Sequence, residues 1–287
     1  MPDLAFKITR PSHRSTSVVF ASPHSGRAYA PAFLDQIDID ATTIRSSEDA
    51  FVDHLFAAAP EFGAPFIQAC APRAFVDLNR GADELDPALI ADLKRKPQNP
   101  RVASGLGVIP RVVANGRHIY RGKISLAQAH ARIANYWYPY HDNLQTLLDE
   151  SNRMFGQSVL IDCHSMPHEA LTSMSTKNTT YPDIVLGDRF GSTAAPFVVD
   201  QVERAFAEAG FRVARNAPFA GAYIVQRYGH PARSQHAIQV EIDRGIYMNE
   251  HTLTPKPDFA HIQAVISGVI AQIAEIGMPS DQQIAAE

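Results

Sequence analysis

Apolar residues in this chain fall into short unbroken runs and longer helical stripes. Two of the runs are Ser17-Val18-Val19-Phe20-Ala21-Ser22 and Ser158-Val159-Leu160-Ile161-Asp162-Cys163. Their aliphatic, β-branched character suits strands buried on both faces. The pattern predicts strands at 17–22, 65–70, 73–78, 158–163, 183–186, 211–214, 222–226 and 237–242. Helices are expected between them. One starts near Ser47, with Glu48 and Asp49 in a first turn that favours carboxylates and an apolar stripe through Phe51, Val52, Leu55 and Phe56. Another starts at Asp86-Pro87, a cap followed by proline at the first helical position. The longest runs from Ser125 towards Phe155 on Ile133, Trp137, Tyr140, Leu144 and Leu148, with a kink at Pro139. Two more fit 193–209, ending at Gly210, and 257–276. Strands alternating with helices imply an α/β fold with a mostly parallel sheet covered on both faces.

No repeat or Gly/Ser-rich linker interrupts the 287 residues, which read as one catalytic domain, 1–287, with 278–287 a frayed tail. Segment 96–122 breaks the pattern. Its prolines and glycines predict a long irregular connection, and Arg101, Arg111, Arg117, His118 and Arg121 make it basic. Such a loop either covers a site or is simply solvated. Beyond it, a formal net charge of -4 gives no nucleic-acid footprint. Cys70 and Cys163 lie in or beside apolar runs and read as free buried thiols. The N-terminus lacks a long apolar segment, and no apolar stretch reaches the length of a membrane span. The expectation is a soluble cytoplasmic protein with neither a nucleic acid nor a membrane as partner, and an oligomeric state the sequence leaves open.

Histidines end the two strongest runs: His24 in Pro23-His24-Ser25-Gly26 and His164 in Asp162-Cys163-His164-Ser165. Ligands of open α/β sheets bind beyond the carboxyl ends of strands. Two imidazoles there are half of a catalytic zinc site, which takes three protein ligands, often two His and a carboxylate. Glu48 and Asp49 are both candidates for the carboxylate. Taken singly, each histidine reads as a hydrogen-bonded core or edge imidazole, and it is the pair at matching strand ends that points to a metal. Glu241, within Ile238-Gln239-Val240-Glu241-Ile242, is a carboxylate in an apolar strand. It is either a general base or the partner of an arginine such as Arg244. Arg73-Ala74-Phe75-Val76-Asp77-Leu78-Asn79-Arg80 sets a carboxylate, an amide and a guanidinium at a strand exit. Asn79 and Arg80 anchor an acidic small molecule there, or Asp77 and Arg80 pair with each other. Tyr223 or Arg227 faces a pocket or simply packs.

Taken together, Pro23-His24-Ser25-Gly26, Asp77-Leu78-Asn79-Arg80, Pro139-Tyr140-His141, Asp162-Cys163-His164-Ser165, Gly221-Ala222-Tyr223-Ile224 and Val240-Glu241 resemble the N-formylglutamate amidohydrolase (deformylase) family, related in fold to zinc carboxypeptidases. The resemblance spans nearly the whole chain. It implies a three-layer α/β/α sandwich around a mixed, mostly parallel sheet. It also implies one Zn2+ ion, or another divalent metal, on His24, Asp49 and His164, with Glu241 as general base. Arg27 stands where zinc carboxypeptidases place a glutamate, so the carboxylate ligand comes from elsewhere. Asn79 and Arg80 take the role of an Asn-Arg pair that holds a substrate carboxylate. Arg73 or Arg111 assists the oxyanion, Tyr223 lines the substrate pocket, and Asp162 steers an imidazole. The implied reaction is hydrolysis of N-formyl-L-glutamate, or a similar small acidic N-acyl amino acid, to formate and the free amino acid. The alternatives are a metal-dependent deacylase or carboxypeptidase for another N-acyl amino acid, and a non-catalytic binder of acidic ligands.

Overall fold

The protein is described by a computed structural model over residues 4–94, 97, 99–172 and 181–278. The tail expected at 278–287 therefore lies, from residue 279 on, outside the described residues. The chain is α/β. Its strands β1 (Phe6–Thr9), β2 (Val18–Ser22), β3 (Phe66–Ala69), β4 (Ser158–Met166), β5 (Ile184–Gly187), β6 (Val213–Arg215) and β7 (Gln235–Asp243) form one sheet in the order β1-β3-β2-β4-β7-β5-β6. β4 is parallel to β2 and β7, and β6 is parallel to β5, while β5 runs antiparallel to β7. The sheet is thus mixed and mostly parallel.

Two compact units are distinguished: Met1–Lys7 with Pro23–Ala50 and Gln68–Asn143, and Ile8–Ser22 with Phe51–Ile67 and Leu144–Glu287. The second is built on β2, β4 and β7, whose Val18, Val19, Phe20, Val159, Leu160, Ile161, Ile238, Val240 and Ile242 are wholly buried. Each such aliphatic or aromatic side chain contributes about 1.5–3 kcal/mol. Helix Phe259–Ile276 packs on β2 and on helices Val52–Leu55 and Pro196–Glu208, burying Ile266, Val269, Ile270, Ile273 and Ala274. By length and composition this helix is apolar enough to cross a membrane, which corrects the expectation that no stretch would be. Its apolar positions have a use in the fold, as the face laid on the core.

The first unit is loop-rich, and several expected elements are absent from it. Residues 73–78 are not a strand. Phe75 and Val76 donate to the Pro72 carbonyl at 2.9 and 3.3 Å, which winds the segment into a turn. No helix starts at Asp86-Pro87 either, because the Asp86 carboxylate closes a turn on the Ala88 amide at 2.7 Å. The expected long helix over 126–155 forms, opened by a Ser125–Gln128 capping box. In place of a simple proline kink it contains a π-helical turn, Ile133–Trp137, just before Pro139.

Three further corrections concern the other predicted elements. Glu48 and Asp49 precede the short helix Val52–Leu55 and are not in its first turn, since Phe51 at φ 66° breaks the backbone between them. Segment 222–226 is not a strand but part of helix Tyr223–Tyr228, launched by Gly221 at φ 102°. β4 also runs on to Met166, because β7 pairs with it through Asp243; His164 therefore lies inside the strand.

Candidate active-site residues

In the first unit the site residues are held by loops. His24 follows β2 by two residues, in a turn pressed onto the Cys70-Ala71 backbone: Ala28 donates to the Cys70 carbonyl at 3.0 Å. Gly26 makes this approach possible, since a Cβ there would stand 2.1 Å from the Ala71 oxygen. The Asp49 amide donates to the His24 carbonyl at 3.0 Å, and the Asp49 carboxylate lies 3.4 Å from His24 Nδ1. Glu48 is committed elsewhere: it accepts from Tyr29 Oη at 2.7 Å and Arg45 Nε at 3.0 Å. Burial and the neighbouring Glu48 charge push the Tyr29 phenol far above its usual value, which keeps it a donor.

His24 Nε2 meets Asp77 Oδ1 at 2.8 Å. Asp77 also accepts from Arg73 Nε at 3.0 Å and from the Asn79 amide at 2.8 Å. Its burial favours the neutral acid, but Arg73, His24 and Arg80 outweigh burial and hold the carboxyl well below its ordinary range. An ionised Asp77 accepts from His24 Nε2, which turns Nδ1 of the ring towards Asp49. Arg80 is bound through carbonyls: Nε donates to Leu106 O at 3.0 Å and Nη1 to Asn79 O at 2.9 Å. Arg111 donates from Nε to the buried Asp86 at 2.7 Å.

The 73–80 segment is fixed by the helix over 126–155. Arg132 donates to Phe75 O at 3.1 Å, Trp137 Nε1 to Arg80 O at 2.8 Å, and His141 Nε2 lies 2.9 Å from Leu78 O. In an α-helix, residues 132 and 137 would point about 140° apart. The π turn takes one more residue and brings Trp137 round towards the Arg132 side. This is the structural use of Pro139-Tyr140-His141.

In the second unit the site residues stand on strands. β4 and β7 pair in register with Asp162 beside Gln239 and His164 beside Glu241. Alternation puts all four on one face of the sheet. His164 Nε2 is 3.0 Å from Asp162 Oδ2, and both residues are buried. Gln239 Nε2 donates to Glu241 Oε1 at 2.7 Å. Arg244, the alternative partner weighed for Glu241, donates from Nε to Ser165 Oγ at 3.2 Å. Tyr223 heads a helix and accepts from Arg227 at 3.0 Å. Cys163 is a buried free thiol, its pKa driven well up by burial and by Asp162.

Sequence reasoning passed over Gln239 and the contact of Asp77 with His24. The first had a signal: Gln239, Glu241 and Asp243 are polar at every second position of an otherwise apolar strand. The second had none, because it joins residues 53 positions apart through a turn.

A family model described as N-formylglutamate amidohydrolase matches residues 16–248. An N-formylglutamate deformylase of Pseudomonas aeruginosa is 29% identical over 236 residues, 81% of this chain and 82% of its own. One of Pseudomonas putida is 26% identical over 253 residues, covering 87% and 88%. The crystal structure of N-formylglutamate amidohydrolase from Ralstonia eutropha superposes with a TM-score of 0.88 at 33% identity, covering 95% of this chain and 98% of that one.

Proposed function

The chain belongs to the N-formylglutamate amidohydrolase family, and from that premise we propose that it is a cytoplasmic, metal-dependent amidohydrolase that cleaves the formyl amide of N-formyl-L-glutamate or a closely similar N-acyl amino acid. His24, Asp49 and His164 are the proposed ligands of one divalent ion, with zinc suited to two imidazoles and a carboxylate. The observation that carries this reading is that the buried Asp49 carboxylate lies 3.4 Å from Nδ1 of the buried His24, so that two of the three proposed ligands already stand together. The donor set also fits a metal chemically. His24 sets Nε2 against the buried Asp77, which turns Nδ1 towards Asp49, and His164 stands with Nε2 3.0 Å from the buried Asp162.

A bound ion would supply Lewis acidity to the formyl oxygen and lower the pKa of a coordinated water. Glu241 takes a proton from the attacking water and returns it to the departing amine, so that amide and water become formate and amino acid. Arg73, held by Asp77 with its side chain 26% exposed, donates to the developing oxyanion. Asn79 and Arg80 orient the substrate's carboxylate.

The test is formate release by chelator-stripped and zinc-restored protein on N-formyl-L-glutamate, N-formyl-L-aspartate, N-formyl-L-methionine and N-acetyl-L-glutamate. N-Formyl-L-glutamate should show the highest kcat/KM, and only with metal restored. Glu241→Gln should keep its metal and lose about 10²–10⁴-fold in kcat. Turnover that survives metal removal, or full activity in that variant, overturns the reading.

A further inference from the structure

Gln239 sits between a backbone amide and the proposed base, and its orientation follows from its two neighbours. The Ala222 N–H donates to Gln239 Oε1 at 3.0 Å. An N–H can meet only the oxygen of a side-chain amide, so the NH2 group must point the other way, at Glu241 Oε1 2.7 Å distant. The amide cannot be flipped without setting donor against donor. Glu241 Oε1 is thereby required to accept, and a transferred proton must ride on Oε2.

The backbone around Ala222 is built to hold this contact. Gly221 has φ 102°, which favours glycine, and the chain passes so close to β5 that a Cβ on Gly187 would lie 2.6 Å from the Gly221 nitrogen. Arg189 also donates to the Gly221 carbonyl at 3.2 Å. Gln239 is buried and lies two residues before Glu241 on the same face of β7.

We propose that Gln239 is the positioning residue of the base: anchored by Ala222 N–H, it donates to Oε1 of Glu241 and so dictates which carboxylate oxygen receives the proton of water. The inference rests on Glu241 being the base. It assigns no contact with substrate to Gln239, so its loss should lower kcat and leave KM alone.

Three variants of the zinc-loaded protein test it: Gln239→Leu, which removes both hydrogen bonds; Gln239→Glu, which keeps an acceptor for Ala222 but offers Glu241 a donor only by holding a proton the base needs; and Glu241→Gln. Metal content and thermal midpoint are recorded alongside kcat and KM for N-formyl-L-glutamate. Both Gln239 variants should lose about tenfold to a hundredfold in kcat, with KM within about twofold and one zinc retained. If Gln239→Glu recovers wild-type kcat, the residue merely anchors the Ala222 turn and the proposal fails. Wild-type kcat in Gln239→Leu also sinks it, as does a loss that appears in KM. An active Glu241→Gln variant would instead overturn the premise about the base. Should Gln239→Leu fail to fold, Gln239→Glu, nearly equal in volume, decides the question alone.

Discussion

The residues proposed for catalysis come in two kinds of setting. His164, Asp162, Glu241 and Gln239 occupy a block on β4 and β7, where strand register alone puts them side by side. His24, Asp49, Arg73, Asp77, Asn79 and Arg80 sit on turns, where each position is fixed by specific contacts: Gly26 against Ala71, Asp77 among three donors, and carbonyls 75, 78 and 80 against Arg132, His141 and Trp137. In the strand-built cluster, geometry comes from a ladder that the apolar core holds regardless of the polar residues. In the loop-built cluster, the polar residues are themselves the scaffold. Substitutions should therefore act locally in the first and spread in the second.

The largest effect should come from the proposed ligands. His164→Ala and His24→Ala should each lose the metal and all measurable turnover, read by metal analysis of purified protein and formate release. The difference lies in what else changes. His164→Ala removes a side chain from a ladder that persists, so the thermal midpoint should stay close to wild type. His24→Ala takes one imidazole contact from Asp49 and one from Asp77, which keeps Arg73 and the Asn79 amide, and so loosens the turn that these contacts hold. A larger fall in midpoint for His164→Ala would contradict the contrast.

How much of each cluster was legible follows the same division. The apolar runs announced β2, β4 and β7, and alternation put Glu241 inside a buried strand. Even here the sequence ended β4 three residues early, because its last pairs depend on a polar stretch of β7. The loop-built cluster was read through motif resemblance. Periodicity misled at 73–78, where Phe75 and Val76 look like a strand but Pro72 accepts their amides in a turn. The difference between Glu48 and Asp49 had no local signal, since it lies in Tyr29 and Arg45 donating to Glu48. Tyr223 was placed on a strand because its neighbours are β-branched, and Gly221 turned that segment into a helix instead.

The next effect compares the carboxylates behind the two imidazoles. Asp162→Asn and Asp77→Asn each remove a carboxyl group beside a proposed ligand histidine, and both should weaken zinc binding by about 10–100-fold in chelator competition. Asp162 lies beside His164 within one strand, so KM of zinc-saturated Asp162→Asn should be nearly unchanged. Asp77 also holds Arg73 and the Asn79 amide. Asp77→Asn should therefore raise KM for N-formyl-L-glutamate several-fold even at saturating zinc. Equal KM values for the two variants would mean that the turn does not transmit the loss.

The smallest effect is on stability and needs no turnover. Ile161→Val trims one methylene from the core of β4 and should cost about 0.5–1.5 kcal/mol, because the ladder stays and a small void relaxes. Gly26→Ala adds one carbon at a turn where the facing atom is backbone, the Ala71 oxygen at 2.1 Å. No rotamer change relieves that contact, so either the 23–28 turn or the 70–71 backbone must move, at about 1–3 kcal/mol. Denaturant titration of both variants measures the difference. The chemical consequence runs the same way: a displaced turn carries His24 with it, so Gly26→Ala should also bind zinc more weakly, whereas Ile161→Val should not. A Gly26→Ala variant with wild-type stability and wild-type zinc affinity would show that the loop-built cluster tolerates displacement as easily as the strands do.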